Sequence, residues 1–166
     1  MNELKAFIRS FMYAGKGIAF CFRNERNFRF HLCAAIAATA FSRICGNFSS
    51  AEFAVLALTI AAVISTELIN SALEMISDTV TSAYNEGIGH AKDMAAAGVL
   101  ITAIASLCVG IRMFAARGRF GILFDFFSSS WTKILALAIY LILSYIFVFV
   151  YGNKKIRKNH DKNKQQ

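Results

Sequence analysis

The sequence predicts an all-α integral membrane protein, and three observations predict it. Of its 166 residues 57% are hydrophobic and none is proline. Mean hydropathy is +0.50, above what a soluble domain of this size carries. The net charge of +8 is crowded at the chain ends, with six Lys/Arg in the first thirty residues and six in the last fourteen. Basic ends beside apolar segments suit anionic headgroups and the control of topology. They do not suit nucleic acid, because no basic run is interleaved with stacking aromatics on a soluble fold.

Residues 4 to 22 form the first element. Leu4, Phe7, Ile8, Phe11, Gly15, Ile18, Ala19 and Phe22 recur at spacings of three and four, with Lys5, Arg9 and Lys16 mainly off that stripe. This is the pattern of an amphipathic helix lying in the membrane surface. The scattered charges, without a compact apolar core and small-residue cleavage site, argue against a secretory signal. A charged junction, Arg23 to His31, leads into a first span expected over 30–46, at the short end for crossing. Asn47-Phe48-Ser49-Ser50 reads as a turn, with Ser49 or Ser50 capping the next helix and Glu52 in its first turn.

The second span is expected over 51–77, a polar connection over 78–93, and the third span over 94–114. Ala95, Ala96, Ala97 and Gly98 permit close helix approach. Residues 115–130 read as a loop, and 131–151 as a fourth span anchored by Trp131 and Tyr151. The basic tail from 153 to 166 reads as disordered. Four spans put both termini on one side, which the positive-inside rule makes cytoplasmic. Arg112, Arg117, Arg119 and Lys133 then fall on the outer side, against the rule. Cys21, Cys33, Cys45 and Cys108 contain no C-x-x-C pair, so they read as small packed apolar residues.

The second span carries the chemistry. After fourteen uncharged residues, Phe53 to Thr66, the chain reads Glu67-Leu68-Ile69-Asn70-Ser71-Ala72-Leu73-Glu74-Met75-Ile76-Ser77-Asp78. At about 100° per residue, Glu67, Asn70, Glu74 and Asp78 share an arc of roughly 80°. Carboxylates within an apolar helix are costly and usually functional. With Glu25 and Lys92-Asp93 they suit a hard divalent cation bridging nucleotide phosphates. No P-loop and no protein-kinase motif is present. Composition alone leaves a proton or ion pathway equally open.

At these residues the chain resembles the bacterial membrane diacylglycerol kinase family, which includes undecaprenol kinases. The matching pieces are Gly17 leading to Glu25-x-x-Phe28-Arg29, then Glu67-x-x-Asn70-Ser71-Ala72-x-Glu74-x-x-x-Asp78, then Ala91-Lys92-Asp93-Met94. The resemblance covers about residues 5 to 114. It implies a lipid kinase domain over 1–114, followed by a loop and extra span over 115–152 and a cytoplasmic tail over 153–166. It implies a surface helix with three family spans, the fourth span being an addition. It further implies a homotrimer in the bacterial inner membrane, with shared active sites at the cytoplasmic face, using ATP and Mg2+ to phosphorylate a lipid hydroxyl.

By the same resemblance Glu67 is the catalytic base, and Glu25 and Glu74 hold the metal. Tyr13, Glu25, Asn70, Glu74, Lys92 and Asp93 serve the nucleotide. Phe28, Arg29 and Glu67 face the acceptor. Phe28-Arg29-Phe30-His31-Leu32 looks like the Gram-positive branch, which favours undecaprenol over diacylglycerol. Two positions depart from the Gram-negative pattern: Ala83-Tyr84-Asn85 replaces a Glu-Tyr-His run, and Ala6 aligns with an arginine, for which Lys5 or Arg9 substitutes. Two other classes compete: a transporter relaying protons through Glu67 and Glu74, and a non-catalytic membrane subunit. The Ala91-Lys92-Asp93 element and the intact acidic set speak for the kinase.

Overall fold

The computed structural model describes residues 2–80 and 85–151. Among them the chain is helical, with no strand. In order come α1 (Asn2–Asn24), α2 (Arg26–Cys45), α3 (Ser50–Val80) and α4 (Glu86–Ala115). A 3-10 turn (Ala116–Gly118), α5 (Arg119–Ser128), α6 (Trp131–Tyr145) and a π-helical turn (Ile146–Val150) complete it. The tail 153–166 and the Ala83-Tyr84 pair lie outside the described residues.

Helix ends follow local chemistry. Gly46 takes the left-handed conformation, φ 68°, that ends α2. Ser49 and Glu52 form a capping box before α3: the Ser49 amide donates to Glu52 Oε2 at 2.7 Å, and the Glu52 amide to Ser49 Oγ at 3.2 Å. Asn85 caps α4 by accepting from the Ile88 amide. Most of the expected 78–93 connection is therefore helix, because α3 runs on to Val80 and α4 starts at Glu86.

The expected loop over 115–130 is corrected more strongly. Arg117 (φ 56°) and Gly118 (φ 67°) are left-handed and reverse the chain. The apolar run from Phe120 to Phe127 then forms α5. Its contacts set its direction: the Cys45 thiol reaches the Arg119 carbonyl at 3.8 Å, and Phe41 meets Phe127 at 6.0 Å. The Tyr140 hydroxyl donates to the Cys33 carbonyl at 2.6 Å, and Arg29 donates to the Val148 carbonyl at 3.1 Å. So α5 and α6 together run antiparallel along α2, from its Cys45 end to its Arg29 end. The returning segment begins at Arg119 rather than at Trp131.

Three helical stretches are long and apolar enough to cross a membrane: Ser50–Val80, Glu86–Ser128 and Trp131–Val150. The expected first span, α2, is not among them; Arg26, Arg29 and Arg43 interrupt its apolar content. α3 and α4 pair antiparallel, tied by Thr66 to Thr102 (2.9 Å) and by Lys92 to Asp78 (2.8 Å). An added Cβ at Gly98 would meet nothing within 4 Å, so the close approach expected there is not made among the described residues. The fold has a thin interior, and Leu100, Ile101, Leu107 and many like them are exposed, as an apolar solvent allows.

The end of the bundle away from Glu25 is held by Arg119, which is 0% exposed. It donates to Glu52 Oε1 (2.7 Å), Asn47 Oδ1 (2.8 Å), the Asn47 carbonyl (3.0 Å) and the Met113 carbonyl (2.7 Å). Its guanidinium also lies 3.9 Å from the Phe48 ring centroid. Arg117 adds a 3.6 Å contact to Glu52. Two of the four cations that offended the positive-inside count thus share one carboxylate, which offsets one of their two charges.

Candidate active site

The other end of the bundle gathers the acidic residues. α3 continues unbroken through 67–78, so the predicted stripe forms on one face. Its thirty-one residues rise about 46 Å, more than the roughly 30 Å of a hydrocarbon core. The helix is therefore longer than the apolar layer is thick. Within the stripe, Asn70 Nδ2 donates to Glu74 Oε1 at 2.9 Å. Glu67, one turn back, is 2% exposed.

The C-terminal end of α1 meets this face, while residues 3–18 of that helix are exposed. Cys21 is buried and meets Ser71. Ser71, also buried, lies at about 40° on the stripe by the same rotation, a position sequence reasoning could have assigned. Four residues past Cys21, Glu25 fills the joint between α1 and α2 with extended backbone (φ −95°, ψ 117°). Glu25, Glu67 and Glu74 lie within electrostatic reach of one another. Partial burial and the nearby Glu74 push the Glu25 carboxyl above the usual glutamate range, against the pull of Arg29.

Two buried oxygens at this corner lack a hydrogen-bond partner: Glu67 Oε2 and Asn70 Oδ1. An unmet buried acceptor is costly, of order 1–3 kcal/mol, and native proteins leave few of them. Both atoms lack a partner among the described residues. The donor set is oxygen throughout, which suits magnesium. Among the described residues no three His, Cys, Asp or Glu side chains converge tightly enough to hold a metal alone. Two carboxylates and the phosphates of a nucleotide fit better, the usual magnesium arrangement in phosphoryl transfer.

The remaining candidates are spread around this corner. Lys92 pairs with Asp78, which gives Asp78 a partner across the α3–α4 pair, and Asp93 is exposed. Tyr13 is exposed three turns up α1, with Lys16 Nζ 5.6 Å from its ring centroid. Phe28 is buried, and Arg29 is 2% exposed among helix-end carbonyls. Beyond Glu67 toward the opposite end, an apolar groove of about 690 Å3 runs between α2, α3 and α4. Its walls include Phe30, His31, Ala34, Val63 and Ile64, and Val63 lies one turn from Glu67.

Known proteins resemble this chain in sequence. The profile of the prokaryotic diacylglycerol kinase family matches residues 12–114. An undecaprenol kinase of Bacillus subtilis (strain 168) is 39% identical over 119 residues, 70% of this chain and 94% of that protein. A diacylglycerol kinase of Synechocystis sp. (strain ATCC 27184 / PCC 6803 / Kazusa) is 44% identical over 103 residues, 61% of this chain and 58% of that protein. No solved structure matches. With Glu25, the Glu67–Asp78 stripe and Lys92-Asp93 all inside the matched segment, the chain belongs to the prokaryotic diacylglycerol kinase family.

Proposed function

We propose that the chain transfers the γ-phosphoryl group of ATP to the primary hydroxyl of a membrane lipid, undecaprenol first and diacylglycerol second. The observation that carries this reading is Glu67: a buried carboxylate with Oε2 unpartnered, one turn from the Asn70–Glu74 pair. Glu67 accepts the proton of the lipid hydroxyl. The hydroxyl oxygen forms its bond to the γ-phosphorus as the bridging bond to ADP breaks, so the products are a lipid phosphate and ADP.

Glu25 and Glu74 would hold Mg2+, which would supply charge neutralisation on the phosphate oxygens. A bound cation would relieve their mutual repulsion. Asn70 orients Glu74 through its 2.9 Å hydrogen bond. Tyr13, Lys92 and Asp93 serve the nucleotide, and Phe28 backs the joint that carries Glu25. The apolar groove near Glu67 suits an acceptor with a long hydrocarbon chain. The undecaprenol kinase relative, matched over 94% of its length, favours the isoprenoid alcohol.

The active subunit assembles as a homotrimer in the cytoplasmic membrane, with both chain ends and the acidic corner facing the cytoplasm. In support, α1 and the π-helical turn lie at one end of the bundle with Glu25. The test is transfer of labelled phosphate from ATP in mixed micelles, with undecaprenol and dioleoylglycerol compared. Undecaprenol should give the larger kcat/KM by about tenfold or more, ~1.4 kcal/mol. Preference for dioleoylglycerol would reassign the acceptor. No transfer to either would refute the lipid kinase reading.

A further inference from the structure

Glu25 occupies an awkward place. It separates two helices, its backbone is extended, and its side chain makes no capping hydrogen bond. A joint of this kind leaves the last carbonyls of the preceding helix unpaired. Arg29 answers that need. Its Nη1 donates to the carbonyls of Arg23 (3.3 Å) and Phe22 (3.5 Å), in the last turn of α1. Its Nη2 donates across 119 residues to the Val148 carbonyl at 3.1 Å.

The Val148 carbonyl belongs to another helix end. Two helix C-termini, each with a partial negative charge, therefore meet one buried guanidinium, a favourable arrangement for a cation. Aromatic contacts reinforce it. The Phe147 ring packs on Phe22 at 5.0 Å and lies 5.9 Å from the Arg29 guanidinium. Arg26, the first residue of α2, stands 5.8 Å from the Phe149 ring. Arg26 and Arg29, the two arginines that follow Glu25, are thus both in contact with residues 147–149. Those residues lie beyond the family match, which ends at residue 114.

We infer that the C-terminal helix end, Ile146–Val150, is a positioning element for the metal and nucleotide corner, acting through Arg29 on the joint that carries Glu25. Arg29 is then a positioning residue rather than an acceptor contact. The element fixes the angle between α1 and α2, and with it the placement of the Glu25 carboxylate against Glu74. This inference rests on the lipid kinase reading for its meaning, but the contacts stand without it.

The test uses the full chain in nanodiscs. Phe147→Ala removes the ring that packs on Phe22 and Arg29. Mn2+ binding, read by electron paramagnetic resonance with a non-hydrolysable ATP analogue present, should weaken about three- to tenfold. The half-saturating Mg·ATP concentration should rise by a similar factor, while kcat at saturation and KM for the lipid stay within about twofold. Phe147→Tyr should restore the wild-type values. Arg29→Lys should weaken Mn2+ binding comparably, and the double variant no further than the larger single effect, because both act through one contact. If Phe147→Ala does not fold, Phe147→Leu takes its place. Unchanged Mn2+ binding in a folded variant, a loss confined to kcat, or additive effects with Arg29→Lys would each overturn the inference. A wild-type protein that binds Mn2+ but phosphorylates no lipid would instead sink the kinase reading, leaving the binding comparison intact.

Discussion

Glu67→Gln separates chemistry from folding. The substitution keeps the shape of the side chain and removes its ability to take a proton. Glu67 is 2% exposed and its Oε2 has no hydrogen-bond partner, so no network is broken by the exchange. An amide also carries no charge to bury. Stability should therefore hold or rise, because an unpaired buried carboxylate is the costlier group. Loss of a general base lowers turnover about 10^2- to 10^4-fold, or ~3–5 kcal/mol of barrier. The assay is phosphate transfer from ATP to undecaprenol in micelles at saturating magnesium, with thermal unfolding measured on the same sample. KM for Mg·ATP should change little, since the nucleotide is assigned to Glu25, Asn70 and Glu74. Turnover within about threefold of wild type, with unchanged unfolding, would refute the base assignment. A large fall in thermal stability would refute the claim that the carboxylate is unpaired in the folded protein.

Two other perturbations probe the two ends of the bundle. The Glu25 carboxyl is raised by burial and by Glu74, so its metal-binding ionised form is reached at higher pH than for a free glutamate near 4.3. Mn2+ binding should fall away as pH drops through that raised value, and Glu25→Gln should bind weakly at every pH. Because folding favours the protonated form, the stability this group contributes is present below its unfolded value and lost as pH rises through the folded one. Metal-free protein should then unfold at higher temperature as pH falls across that window, with a smaller slope in Glu25→Gln. At the opposite end, Glu52→Ala removes the one carboxylate among the acceptors of fully buried Arg119 and half of the Ser49 capping box. It should destabilise the fold, read as a lower unfolding temperature, because the buried Arg119 charge loses its carboxylate. Lipid phosphorylation by the protein that remains folded should be unaltered, since Glu52 lies about 22 Å down α3 from Glu67.

Much of this molecule was legible in the order of its residues. The continuous apolar run before Glu67 and the rotation of 100° per residue placed the acidic stripe on one helical face, whatever the helix later packed against. Capping by Ser49 and Glu52 is equally local. The Glu25, Glu67–Asp78 and Lys92-Asp93 pieces marked the family before any fold was known. Boundaries were less readable: the helical residues within the expected 78–93 connection, 78–80 and 86–93, include side chains as polar as a loop's, and only the backbone shows that they are helix.

Tertiary structure decided what the charges far apart in sequence do. Arg29 reads as a binding residue in isolation, because the carbonyl that takes its Nη2 is 119 residues away. Arg119 reads as an outer-surface cation, because Glu52 and Asn47 reach it only once α5 turns back at Arg117 and Gly118. Composition fixes that a chain is membrane-borne and local spacing fixes which faces its helices present. Which buried cation meets which helix end depends on how those faces are brought together, and that is set by the packing of the whole bundle.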